Sequence, residues 1–124
     1  MTAKIFLSVF ILICIGLGLI FGLNAFSEAM ENSLLLAGEI ISASDISGSI
    51  DKLYSFEENF KENRFLFSSF LHDSELDGIE NLIADIRSSL FCGERDDALA
   101  FASLLQEKLL QLKFSMALSL ENII

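Results

Sequence analysis

Residues Ile5 to Leu23 read IFLSVFILICIGLGLIFGL, a run of nineteen without a charge, relieved only by Ser8, Cys14 and three glycines. As an α-helix rising about 1.5 Å per residue, such a run is about 28 Å long, close to the hydrocarbon thickness of a bilayer of about 30 Å. Glycine is commoner in bilayer helices than in soluble ones, so Gly16, Gly18 and Gly22 do not weaken the reading. Gly18 and Gly22 stand four apart, the spacing of a small-residue contact face between spanning helices. The flanks set an orientation: Lys4 precedes the run, whereas Glu28 and Glu31 follow it and the next basic residue is Lys52. The positive-inside rule then keeps the amino terminus in the cytoplasm and sends the rest outside. The competing reading is a signal peptide cleaved near Ala25, but the run exceeds the roughly 7–15 apolar residues of a cleavable signal, and Leu23 is not small. Lipidation at Cys14 is disfavoured by Ile13 and by the mid-run position of the thiol, which reads as a bilayer-facing hydrophobe.

The organisation expected is therefore a transmembrane signal anchor over residues 1–27 and one extracytoplasmic domain over 28–124. All 18 acidic residues and all but one of the 8 basic ones lie beyond the anchor, so the outer part carries −11 and the whole chain of 124 residues −10. That balance leaves no basic surface for a phosphate backbone and excludes nucleic acid as a partner. No proline, no tryptophan and only seven glycines leave little of the punctuation that sheets and hairpins need, which points to an all-α fold. The architecture expected is an anchor helix continuing into a small antiparallel helical bundle.

Periodicity beyond the anchor supports this. Leu76, Ile79, Ile83, Ile86 and Leu90 recur at spacings of three and four, one face of a helix bounded near Ser74 and Cys92. Ser74 with Asp77 approximates a capping box at its start, and Gly93 suits the left-handed position after its end. Ala98, Phe101 or Ala102, Leu105, Leu109, Leu112 and Met116 form a second stripe on a helix from about Asp96 to Met116. Asp96 and Asp97 at its start and Lys108 and Lys113 toward its end complement the helix dipole. Only Gly93, Glu94 and Arg95 separate the two stripes, so these helices form an antiparallel hairpin. A looser stripe of Ile46, Ile50, Leu53, Phe56, Phe60, Phe67 and Leu71 predicts a helix over Ser47–Leu71, broken at Asn63 and Arg64, with Ser42–Gly48 as the preceding loop. Leu34, Leu35, Leu36, Ile40 and Ile41 continue the spanning helix outward, giving four helical stretches.

Phenylalanine supplies the bulk of the core, with Phe56, Phe60, Phe65, Phe67, Phe70, Phe91, Phe101 and Phe114 outside the anchor. Phe65, Leu66 and Phe67 are consecutive and cannot all face inward, so at least one ring is directed at a partner, the lipid surface or the chain's own tail. The tail Leu118-Ser-Leu-Glu-Asn-Ile-Ile124 is apolar enough to fold back on the bundle or to serve as a handle. Phe65, Phe67, Leu118, Leu120, Ile123 and Ile124 are accordingly the candidate partner-binding residues.

Chemistry is sparse. His72, the only histidine, stands among Asp73, Glu75, Asp77 and Glu80, the densest group of metal-ligand types in the chain. The string Asp73-Ser-Glu-Leu-Asp-Gly78 imitates the opening of a calcium loop, but Ala84 stands where a bidentate glutamate is required. One histidine with carboxylates is a poor tetrahedral zinc set. His72, Asp73 and Glu75 are thus weak metal candidates, and an acid-rich helix start accounts for them. Adjacent acids such as Glu57 and Glu58 diverge by about 100 degrees on a helix and cannot act as a facing pair. No phosphate loop or dinucleotide fingerprint occurs. No catalytic residue and no cofactor is expected, and the chain reads as a non-enzyme. Cys14 lies in the apolar run and Cys92 near the end of a soluble helix, so no intramolecular bridge is expected; Cys92 is read as a buried thiol, with a disulfide between two copies as the alternative.

The apolar N-terminal helix, His72-Asp-Ser-Glu-Leu-Asp-Gly-Ile-Glu80, Asp96-Asp-Ala-Leu-Ala100 and Ser119-Leu-Glu-Asn-Ile123 together resemble a bacterial domain-of-unknown-function family, DUF4363, of small single-pass proteins with a helical exterior. The resemblance covers nearly the whole chain and departs from the family in the middle helix, where Tyr54 and Phe56 occupy a zone usually richer in Trp and Lys. It implies a topology and supplies no activity. The function expected is a non-catalytic interaction or assembly module, held in the lipid bilayer by Ile5 to Leu23 and binding a protein partner or a second copy of itself. The alternatives are a sensing bundle with a small-molecule cavity among Phe60, Phe67, Phe91 and Phe101 that signals through a separate subunit, and a metal-binding protein built on His72 and its neighbours.

Overall fold

A computed structural model describes residues 2–123, with side-chain surroundings for residues 2–118. Five helices follow one another: α1 (Thr2–Ser42), α2 (Ile46–Glu62), α3 (Arg64–Phe70), α4 (Asp73–Phe91) and α5 (Arg95–Ile123). The fold is all-α, as the composition predicts, and the described residues contain no strand.

α1 is one unbroken helix of 41 residues, about 60 Å at 1.5 Å per residue. Its N-terminal half is long and apolar enough to cross a membrane, and none of that window is buried against the rest of the protein. From Phe26 onward the same helix turns one face inward: Phe26, Ala29, Met30, Ser33, Ala37 and Ile40 are all buried. Their spacings of one, three and four trace the stripe that a helix lays along a core.

α2 runs back antiparallel to α1. Its start is fixed by Asp45, whose carboxylate accepts from the Gly48 N–H at 2.7 Å, so the connection is Ala43–Asp45 and Gly48 lies inside the helix rather than in a loop. Two buried serines join α1 to α2. The Ser49 hydroxyl donates to the Ile40 carbonyl at 3.1 Å, and Ser33, which itself donates to the Ala29 carbonyl, accepts from the Asn59 amide at 3.4 Å. Buried hydroxyls that keep their hydrogen bonds in this way avoid an uncompensated desolvation cost.

The expected break near Asn63 is real and divides the middle helix into α2 and α3. The Asn63 side-chain amide donates to the Asn59 carbonyl at 2.9 Å, competing with the helical ladder where it ends. On α4 all five members of the stripe, Leu76, Ile79, Ile83, Ile86 and Leu90, are buried; on α5 Ala98, Ala102, Leu105, Leu109 and Leu112 are buried, and Phe101 and Met116 pack against that core. α4 and α5 pack on each other as the expected hairpin, with Cys92 as C-cap and Gly93 at φ 75°, the left-handed position that glycine occupies without strain.

Three expectations require correction. α4 is capped at His72, not Ser74: the His72 backbone is extended, and its N–H donates to the Glu75 carboxylate at 3.0 Å. Asp73 and Ser74 therefore already lie in the first turn, where acids favour the positive end of the dipole. α5 does not stop at Met116 but runs to Ile123, so the tail prolongs the helix instead of folding back. Lys113 consequently sits well short of the helix end and pairs across to Glu31 on α1 at 3.0 Å. Cys92, finally, is exposed rather than buried, because a C-cap beside a turn faces water.

Candidate functional site

Two ends of the bundle differ in character. At the far end, the α1–α2 and α4–α5 turns are tied together by Arg95, whose guanidinium donates to the Ala43 carbonyl at 2.6 Å. At the near end, where α1 leaves its exposed apolar half, aromatic rings collect. Phe26 meets Phe67 edge-on with centroids 5.9 Å apart and Phe70 at 5.1 Å; Phe67 stacks on Phe60 at 5.4 Å, and Phe60 on Phe56 at 6.4 Å. Aromatic pairs at these separations add about 0.5–1.5 kcal/mol each beyond the area they bury.

The Phe65-Leu66-Phe67 triplet divides as its geometry requires. Phe67 is almost wholly enclosed between Phe26 and Phe60 and belongs to the core rather than to any partner surface, whereas Phe65, on the opposite side of α3, is 85% exposed. Alternate residues on a helix lie about 200 degrees apart, so burying one ring turns the other outward. Arg64 at the start of α3 pairs with Glu80, tying the short helix to α4. Phe70, at its other end, lies over Gly22: a side chain on that glycine would meet the ring at 3.3 Å. This contact occupies one member of the Gly18–Gly22 pair from within the chain, whereas Gly18 faces open space. Sequence reasoning missed this use of Gly22, and the only signal was a glycine one helical turn before the buried Phe26.

α5 completes this end. Lys113, Met116 and Ala117 face Leu23, Phe26 and Ser27 of α1 across a narrow apolar cleft, and Leu112, Ser115 and Met116 share a groove with Phe70, Leu71 and His72. Leu118, the next candidate, is 58% exposed. The side chains of Leu120 and Ile123, and Ile124 as a whole, lie outside the described residues.

The other sites expected from sequence do not assemble. His72 is exposed at the α3–α4 corner, and Glu75 is engaged in capping α4. Among the described residues no group of three or more histidine, cysteine or acidic side chains comes together. Phe60 and Phe67 are stacked in the core, while Phe91 is 60% exposed and Phe101 half-buried, so the four rings expected to line a ligand cavity do not surround a common space. Among the described residues four ion pairs join helices across the surface: Lys52 with Glu39, Arg64 with Glu80, Arg87 with Glu57, and Lys113 with Glu31. They engage four of the seven cations outside the anchor, which leaves the outer surface strongly acidic.

No curated protein and no solved structure matches the sequence. A family model described as a domain of unknown function (DUF4363) does match, over residues 18–123, beginning within the apolar run of α1 and taking in the whole bundle. With more than four-fifths of its length covered, the chain belongs to the DUF4363 family.

Proposed function

We propose that this protein is a single-pass membrane protein whose bundle works as a non-catalytic interaction or assembly module on the outer side of the cytoplasmic membrane. One observation carries the reading. The stretch of α1 from Ile5 to Phe21 presents bulky apolar side chains on all its faces, and nothing among the described residues covers them. An uncovered apolar helix of this length needs lipid around it. Lys4 on one side and the acids beginning at Glu28 on the other support an orientation with the amino terminus inside. The bundle offers an acidic exterior interrupted by single exposed rings, a surface that suits docking. Phe65, held outward by the burial of Phe67, is the side chain through which a protein partner docks.

The test has two parts. Membranes extracted with alkaline carbonate should retain the chain, and protease added to spheroplasts should digest the bundle. Release of a soluble form trimmed near Ala25 overturns the tether. A photo-crosslinking residue in place of Phe65 should give a discrete heavier adduct in intact membranes, and the same residue at the buried Phe67 should give none. If position 65 yields no adduct, the partner surface is wrong even where the tether holds.

A further inference from the structure

α5 is antiparallel to α1, and the cleft between them fixes their relative depth. Met116 and Ala117 lie against Leu23, Phe26 and Ser27, the level at which the charge-free run of α1 ends. The helix continues to Ile123, six residues beyond Ala117 and so about 9 Å further toward the opposite end of α1. On the course set by Met116 and Ala117, those residues extend below the level at which the charge-free run of α1 ends. We infer that the C-terminal end of α5 is itself immersed in the bilayer boundary, so that the protein meets lipid through two antiparallel elements: α1, which spans, and the end of α5, which dips.

Three further observations agree. Leu110, Phe114 and Leu118 are all exposed and stand four residues apart, an apolar line along α5 that runs toward the membrane and that no described part of the chain covers. Phe70, resting on Gly22, brings the lowest corner of the bundle to the same depth as Met116. From Ala117 to Ile124 the single charged side chain is Glu121. A carboxylate is costly at the bilayer centre and tolerated at the interface, so a segment carrying Glu121 stays at the boundary. Lipid rather than protein is the occupant because the depth of this end is set by α1, whose own surroundings at that level are lipid. The inference rests on the reading of α1 as an anchor.

The chain contains no tryptophan, so single replacements report depth without background. Four variants of the full-length protein, Phe10→Trp in the anchor, Leu118→Trp and Phe114→Trp on α5, and Phe91→Trp at the far end, are reconstituted in phosphatidylcholine vesicles containing a fraction of lipid brominated on the acyl chains. All four positions are exposed, so none of the replacements disturbs the core. Phe10→Trp and Leu118→Trp should each lose about half their emission or more, Phe114→Trp less, and Phe91→Trp, about 25 Å from the boundary along α4, almost none. If Phe10→Trp is quenched and Leu118→Trp behaves like Phe91→Trp, the dip is overturned and the anchor stands. If Phe10→Trp is not quenched, both fall.

Discussion

The two halves of α1 belong to one helix and meet opposite fates. Between Ile5 and Phe21 the helix is apolar on every side and none of it is covered; between Phe26 and Ile40 one face is buried, while the other is mostly polar, with Leu35 exposed among its acids. What separates them is not hydrophobicity alone but its angular distribution. Above the junction Glu28, Glu31, Asn32 and Glu39 share one face, since at 100 degrees per residue they fall within about a third of a turn of one another. The opposite face is thereby left free to pack on α2 and α5. One continuous helix thus joins an uncovered apolar half to a half packed in the bundle, and at the junction from Gly22 to Phe26 it meets Phe70 of α3 and the Met116 region of α5.

The largest effect is expected from giving the lower half a charge it cannot hide. Leu12→Arg combined with Ile15→Arg should cost about 2.5–3.5 kcal/mol per residue in membrane insertion, releasing the chain from carbonate-washed membranes while leaving the far-ultraviolet dichroism of the bundle intact. The reverse experiment acts on the upper half. Phe26→Ala removes a ring that contacts both Phe67 and Phe70 and should destabilise the bundle by about 3–5 kcal/mol, read by denaturant unfolding in detergent, with membrane retention unchanged. A smaller effect is expected where the chain turns far from the junction: Gly93→Ala forces a side chain into the left-handed conformation and should cost about 1–2 kcal/mol by the same unfolding measurement. Smallest is the pair that links α5 to α1 just above the junction. Both partners are more than a third exposed, so Lys113→Ala should cost less than about 1 kcal/mol and lose even that in high salt.

Much of this organisation is legible in the sequence. The charge-free run, the two stripes of the α4–α5 hairpin and Gly93 are local patterns whose meaning does not depend on distant residues, and each falls where periodicity puts it. The departures come where several local choices are nearly equal. His72, Asp73 and Ser74 all precede the α4 stripe, and the choice among them is made by the extended backbone that closes α3, not by side-chain preference. Met116 ends the core-facing stripe of α5, which is why periodicity stops the helix there, yet no glycine or proline follows to end it. The site at the lower end is only half readable. That one ring of Phe65-Leu66-Phe67 must face outward follows from helix geometry, but which one is decided by Phe26 and Phe60, brought there by tertiary packing.

The unbroken course of α1 has a mechanical corollary. With no proline anywhere in the chain and no interruption between Thr2 and Ser42, there is no joint between the uncovered apolar half and the half packed in the bundle. The rod extends about 28 Å past Leu23, so if α1 spans a bilayer as proposed, a lean of about 20°, ordinary for such helices, would swing the Arg95 end sideways by about 10 Å. Bilayer thickness would then be converted into the position of the outermost turn, as a lever converts a small rotation at its pivot into travel at its tip.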